Sequence, residues 1–340
     1  MSNQNAQNVI IKRRYFEYLK HADGKADTTI KSIKASIRRF EKYTKHKNFK
    51  TFDRKQAIGF KEYTEAQVSV ATLLTIVNHL KRFFRWLAHQ SGYKRAIRLD
   101  DVAYLNLSDR DKRAATSPTD KEFPSLAMVR EVVAKMPNET AIDKRNRALL
   151  AFTALTFIRI AALASLKIKH LDTKDMLIRQ NPREVATKGR KAINSHVLPF
   201  CDEFEDIIGE WVDYLTKVLL FAPTDPLFPK TAIIHDENAG FAPQGLLREH
   251  WESTSPIRKI FKNAFERANM PVYTPHRFRD MMEAELTALN PSFAEYKAVS
   301  QSYGHKSVMT TLTSYGTLSV REQGRYIRQD LKKRFEEMRG

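Results

Sequence analysis

A single cysteine in 340 residues, Cys201, excludes an internal disulfide and any cysteine-based zinc site, leaving that side chain as a small residue near a strand end. No window approaches the ~18 apolar residues of a membrane span. The amino-terminal Met-Ser-Asn-Gln-Asn-Ala-Gln lacks the basic stretch and apolar run of a secretory signal, so a cytoplasmic location is expected. The ten histidines include no His-Glu-x-x-His, and no cluster of Asp and Glu has the form of a two-metal nuclease site. Neither a metal nor another cofactor is therefore expected. A Gly-x-x-x-x-Gly-Lys-Ser/Thr loop is also missing, which argues against nucleotide hydrolysis. Internal repeats and low-complexity tracts are absent.

Acidic residues are in deficit: 39 Asp and Glu stand against 58 Lys and Arg, a formal charge of +19. Such an excess favours a polyanionic partner, and without a membrane segment nucleic acid is the commoner choice. A hydrophobic share of 42% with 29% charged residues is globular composition rather than that of a disordered tail. The length suits about two domains, each able to bury a core.

The first hundred residues read as amphipathic helices. Ile30, Ile33, Ile37, Phe40 and Tyr43 recur at three- and four-residue intervals, with Lys and Arg between them on the other faces. A second helix is expected from Thr72 to before Gly92, burying Leu73, Ile76, Val77, Leu80, Phe83, Phe84 and Leu87 and leaving Lys81, Arg82 and Arg85 available. A shorter helix after Asp53 carries Ile58, Phe60 and Tyr63. Leu105 to Pro124 breaks the periodicity and reads as an exposed linker separating residues 1–104 from 125–340.

Beyond it, Asp143 is placed to cap a helix through Leu149, Leu150, Phe152 and Leu155, and a second helix carries Arg159, Leu163 and Leu166. The period then changes. Met176-Leu-Ile-Arg, Glu184 to Lys188 and His196-Val-Leu-Pro read as strands of a small antiparallel sheet, with Lys188-Gly-Arg-Lys191 as the turn between the last two. Helices resume at Asp202 to Lys217, Pro256 to Arg267 and Arg277 to about Leu289. The end, Val320 to Arg339, is charged and helical, with Tyr326, Ile327, Leu331 and Phe335 on one side.

The residues that carry chemistry come in one order. Arg159 is followed by His276 and Arg279 in Thr-Pro-His-Arg-Phe-Arg, by Gly304-His305, and by Thr310-Thr311-Leu-Thr-Ser-Tyr315. Two arginines, two histidines and a tyrosine supply positive donors for phosphate oxygens, proton-transfer groups and an oxygen nucleophile, the needs of metal-free phosphoryl transfer. Taken singly, each is commoner as a solvated charge, a helix cap or a packed aromatic; the ordered set carries the reading.

This succession resembles the tyrosine recombinases, or phage integrases, whose signature is Arg, Lys, His-x-x-Arg, His or Trp, and Tyr. The match is strongest from about Arg145 to Gly316, and before about residue 105 it is one of helical pattern alone. The resemblance implies a mainly α protein with a small antiparallel β-sheet. A helical core-binding domain and a mixed α+β catalytic domain would form a two-lobed, C-shaped clamp on duplex DNA. It also implies the roles. Tyr315 attacks the scissile phosphate to give a 3′-phosphotyrosine and a free 5′-hydroxyl, with His276 assisting. Arg159 and Arg279 hold the non-bridging oxygens, Lys188 protonates the leaving oxygen with Lys191 as competitor on the same turn, and His305 donates a further hydrogen bond. Partners implied are double-stranded DNA, a homotetramer coupled by exchange of the carboxy-terminal helix, and an accessory DNA-bending protein.

Three positions depart from the family pattern. Arg159-Ile160-Ala161-Ala162 stands where Arg-Ile-Ser-Glu is usual, removing an acidic residue that Asp172 is placed to replace. Phe157 stands where glycine is usual, and Tyr315 follows His305 by ten positions, one more than the commonest spacing. The expected function is site-specific recombination for a mobile element. Its rivals are a topoisomerase- or resolvase-like enzyme with the same cleavage step, a DNA-binding protein that has lost cleavage, and a basic scaffold for RNA.

Overall fold

The computed structural model describes residues 5–116, 122–236, 240–289 and 291–304. The chain divides into compact units of residues 1–119 and 120–340. His305, Tyr315 and the expected helix from Val320 lie outside the described residues.

The first unit is helical among its described residues: α1 (Ala6–His21), α2 (Asp27–Tyr43), α3 (Arg54–Glu65), α4 (Val70–Leu87), α5 (Leu99–Ala103) and α6 (Asp109–Thr116). Side-chain caps set three of the starts, since Asn5, Asp53 and Ser69 accept from the backbone N–H groups of Asn8, Gln56 and Thr72. The seven apolar residues expected to face inward from α4 are its buried set, and Ile30, Ile33, Ile37 and Phe40 of α2 pack with them. Phe84 stacks on Phe52 at 3.9 Å between centroids and meets Phe40 edge-on at 5.3 Å.

Three expectations for this unit need correction. In α3 the buried positions are Ala57, Phe60 and Thr64, while Ile58 and Tyr63 are 37% and 46% exposed. Ala57, Phe60 and Thr64 recur at three- and four-residue steps and form one face, whereas Ile58, two positions before Phe60, lies on another. Arg82 is held in an ion pair by Asp23 and so is not an available cation. The segment read as a linker contains α6, which lies against α4, and buries Leu105 and Leu107. The eight-residue helix starts in an Asp-Arg-Asp-Lys run, where acidic side chains suit its first turn.

The second unit begins with α7 (Leu126–Ala134) and α8 (Ala141–Leu155). The cap of α8 is Thr140, with Asp143 at its third position in a reciprocal capping box rather than at the cap itself. From Ala148 to Leu155 every residue of α8 is buried, the pattern of a helix surrounded by protein. Arg145, near its start, is also buried. Among the described residues it has no carboxylate partner: Nη1 donates to the Pro229 carbonyl at 2.6 Å, Nη2 to Thr231 Oγ1 at 3.1 Å, and the guanidinium lies 4.8 Å from the Trp251 ring. Burial pulls its pKa down to about 9, leaving it charged at neutral pH.

After α9 (Ile160–Leu163) comes a three-stranded antiparallel sheet of β1 (Leu171–Asp172), β2 (Leu177–Gln180) and β3 (Ile193–His196), with Leu177 opposite His196 and Gln180 opposite Ile193. Glu184 to Lys188 is not a strand. Backbone donors there are spent on local turns, Val185 N–H to Asn181 at 2.8 Å and Thr187 N–H to Val185 at 2.7 Å. The last strand accordingly starts earlier than His196 and ends on it. Then follow α10 (Asp202–Asp213), with buried Cys201 before it, a hairpin of β4 (Thr231–Asp236) and β5 (Gly240–Leu246), α11 (Ser255–Arg267), α12 (Pro275–Ala288) and α13 (Phe293–Ser302). The hairpin and α13 were not expected from the pattern. None of the described helices is long and apolar enough to cross a membrane.

Candidate active site

The chain leaves α8 in extended conformation at Thr156 and enters α9 at Arg159, also extended, so the arginine stands at a junction and not within a helix. Leu198 N–H donates to the Leu155 carbonyl at 2.9 Å, tying the end of α8 to the chain just after β3. Half-buried Arg159 lines a small cleft with Phe157, Ala162, Gln180, Thr187, Lys188, Ser195 and Tyr303. Burial lowers its pKa from a value so high that the charge persists.

Lys188 reaches this cleft from an exposed turn whose Gly189 and Arg190 both have positive φ, 72° and 52°. Lys191, its competitor, is not among the cleft residues. Thr187 Oγ1 beside it is buried with no hydrogen-bond partner among the described residues.

Arg279 comes from the second turn of α12, which starts with Thr274 as cap and Pro275 in the first turn. It is 7% exposed, and its guanidinium lies 4.7 Å from the centre of the Tyr303 ring. Burial first, and the Arg159 charge second, bring its pKa down to about 10. Its Nη1 is buried without a hydrogen-bond partner among the described residues. Two like charges that sense each other, one with an unmet donor, describe a place for an anion. His276, exposed in the first turn of the same helix, precedes Arg279 by one helical turn.

The approach to His305 is fixed. Ser195 Oγ donates to the Ser302 carbonyl at 2.7 Å, and Ser302 Oγ accepts from the His196 N–H at 2.9 Å, docking the end of α13 on β3. Gly304 has φ +71°, and a Cβ there would stand 2.5 Å from Ile193 Cδ1, so glycine is required on two counts.

The departures from the family pattern also find their places. Phe157 stacks on Tyr303, filling space that a glycine would leave. Ala162 lines the cleft without charge. Asp172 does not replace the missing acid. It sits in β1, where it accepts from Arg179 Nη1 at 3.1 Å and from the Lys174 and Asp175 N–H groups, bonds that hold its carboxyl below the usual range. The buried carboxyl near Arg279 is Glu283, which sequence reasoning passed over together with Tyr303. Its one signal was spacing, four residues after Arg279 on a helix. Among the described residues no group of three or more His, Cys, Asp or Glu is placed to hold a metal ion.

The phage integrase family profile matches residues 128–321, more than half the chain, and the profile of the phage integrase N-terminal SAM-like domain matches residues 13–91. The chain belongs to the phage integrase family, the tyrosine recombinases. Similar curated proteins are named tyrosine recombinase XerC. That of Bacillus licheniformis is 23% identical over 303 residues, covering 87% of this chain and 88% of its own. That of Anoxybacillus flavithermus is 20% identical over 305 residues, covering 87% and 89%. Among solved structures, a lambda integrase dimer bound to a COC′ core site aligns with 91% of this chain and 98% of its own at TM-score 0.62 and 14% identity. The integrase of transposon Tn1549 with transposon right-end DNA aligns with 94% and 99% at TM-score 0.59 and 14% identity. At that identity the likeness is one of fold. This tyrosine recombinase is thus a DNA strand-cleaving and rejoining enzyme of site-specific recombination.

Proposed function

We propose that the enzyme integrates or excises a mobile element through a covalent 3′-phosphotyrosine. The reading rests on one observation above the rest: Arg279 is buried beside Arg159 with a donor left open. A scissile phosphate accepts from that donor. Arg159 and Arg279 hold its two non-bridging oxygens with planar donors that stay charged at every working pH. The Tyr315 oxygen attacks phosphorus and its proton passes to His276. The bond from phosphorus to the 5′ oxygen breaks, and Lys188 gives that oxygen its proton. His305 donates to a phosphate oxygen. Retention of the ester energy in the tyrosine link allows the reverse attack by a 5′-hydroxyl to rejoin the strand without ATP.

Residues 1–104 serve as the core-binding domain and 125–340 as the catalytic domain. Lys81 supports a role in DNA binding for the first: its pKa is lowered by burial and by the Arg85 and Lys112 charges, a crowd of like charge that phosphate relieves. A tetramer on paired sites, joined by the segment after Val320 and aided by a DNA-bending protein, completes the assembly, and a cytoplasmic place of action follows. The mobile-element assignment draws on the phage and transposon integrases whose fold is similar.

The test is an SDS-resistant protein–DNA adduct on nicked duplexes from DNA flanking the gene, in chelator-containing buffer. The adduct is expected with the natural chain and absent with Tyr315→Phe. Site-specific binding without an adduct would identify an inactive binder. An adduct without joining of two paired sites would identify a topoisomerase- or resolvase-like enzyme.

A further inference from the structure

Glu283 has no part in the reaction as described, yet it stands behind its arginines. It lies one turn after Arg279 on α12 and is 8% exposed. The other acid acting on this group, Asp280, is committed to Arg277 Nη1 at 2.7 Å. The charged and titratable groups that act on Glu283 are Arg279 and Asp280 on its own helix and Tyr303 after α13, with Arg159 beyond Arg279. Its carboxylate accepts from the Tyr303 hydroxyl, whose single proton has the Arg279 main-chain carbonyl, 3.4 Å away, as its other acceptor. Phe157 stacks on the Tyr303 ring, and the Arg279 guanidinium also lies over that ring. Glu283 therefore touches a side chain that contacts both the arginine's head and its backbone.

We propose that Glu283 is a positioning residue: through the Tyr303 hydroxyl, its carboxylate holds the ring under the Arg279 guanidinium and so aims the arginine's open donor into the cleft. The inference rests on the strand-cleavage reading above for its effect on rate, and on the contacts alone for its effect on Arg279. A carboxylate accepts from a phenol more strongly than a neutral acid does, so the relay works when Glu283 is ionised. Burial, the largest influence, raises its pKa to about 7 against the opposing pull of Arg279. Its ionised fraction then rises about tenfold between pH 6 and pH 8.

The experiment measures the rate of adduct formation on a nicked duplex from pH 5.5 to 9 for the natural chain, Glu283→Gln, Glu283→Asp and Tyr303→Phe, with duplex affinity beside it. The natural chain is expected to speed up with pH through about 7, by up to about tenfold from this group. Glu283→Gln and Tyr303→Phe flatten that limb, Glu283→Asp retains it, and the Gln/Phe double variant loses no more than either alone. A loss equal at every pH with the limb intact would mean packing only and overturn the proposal. A second readout is independent of cleavage: the Arg279 Nε resonance in 15N NMR is expected to titrate near pH 7 in the natural chain and not in Glu283→Gln. If the natural chain gives no adduct at any pH, the cleavage reading fails, and the relay stands or falls on that resonance; a resonance that does not titrate overturns it.

Discussion

The two units bury different chemistry. Around Phe84 the amino-terminal unit stacks aromatic rings, and of its acidic and basic side chains only Glu41, paired with Lys12 at 2.6 Å, is buried among the described residues. The carboxy-terminal unit buries Arg145, His170, Arg279 and Glu283. An apolar core stabilises through area and is indifferent to pH. Buried ions bring a desolvation cost that only partners can offset, and near Arg279 one donor has none. Burial in the first unit thus serves folding, whereas part of the burial in the second serves the site.

Substitutions can break that contrast. The largest effect on stability is expected from Phe84→Ala, about 3–5 kcal/mol at every pH by calorimetric or denaturant unfolding. An effect that varied with pH would contradict a purely apolar core. Next, Arg279→Ala should slow adduct formation by about 10²–10³-fold while duplex affinity stays within a few-fold, because one donor to a developing charge is lost. Glu283→Gln should act with the opposite sign on stability. The folded chain raises this carboxyl's pKa from 4.5 to about 7, so its ionisation opposes folding. The cost is absent below pH 4.5, grows as pH rises to 7 and is constant above it, reaching roughly 3 kcal/mol at most. Unfolding measured at pH 4 and pH 8 should show a gain for the variant at pH 8 alone.

Smaller effects sharpen the comparison. Gly304→Ala should lose about 1–2 kcal/mol from its positive φ, with further loss from the Ile193 contact, and Ile193→Ala should relieve only the second part. Ile58→Ala should change stability by less than about 0.5 kcal/mol, since the side chain is already wet.

Legibility followed the same divide. The α4 stripe could be read residue by residue because a helix buried on one face writes its period into the sequence. The hairpin at 231–246 and the turns at 184–188 could not, as neither shows an alternation of its own. Arg159, Lys188 and Arg279 could be picked out by order and motif, and the structure gathers them in one unit, with Arg159 and Lys188 on one cleft. Tyr303 and Glu283 could not. Tyr303 matters because α13 docks on β3 and brings it to Phe157 and Arg279, and that docking is a tertiary fact. The acid expected at Asp172 failed for the reverse reason: Arg179, two positions from Leu177 on the paired strand, captured it.

The pair of bonds between Ser195, His196 and Ser302 has a mechanical consequence. The chain that continues to His305 and Tyr315 departs from a point riveted to β3, whose other end opens into the turn bearing Lys188. A pull on the chain after Gly304 would load that rivet, and β3, Ile193–His196, leads from it towards the turn bearing Lys188. The anchoring of the carboxy-terminal chain and the placement of the Lys188 turn therefore depend on one short strand.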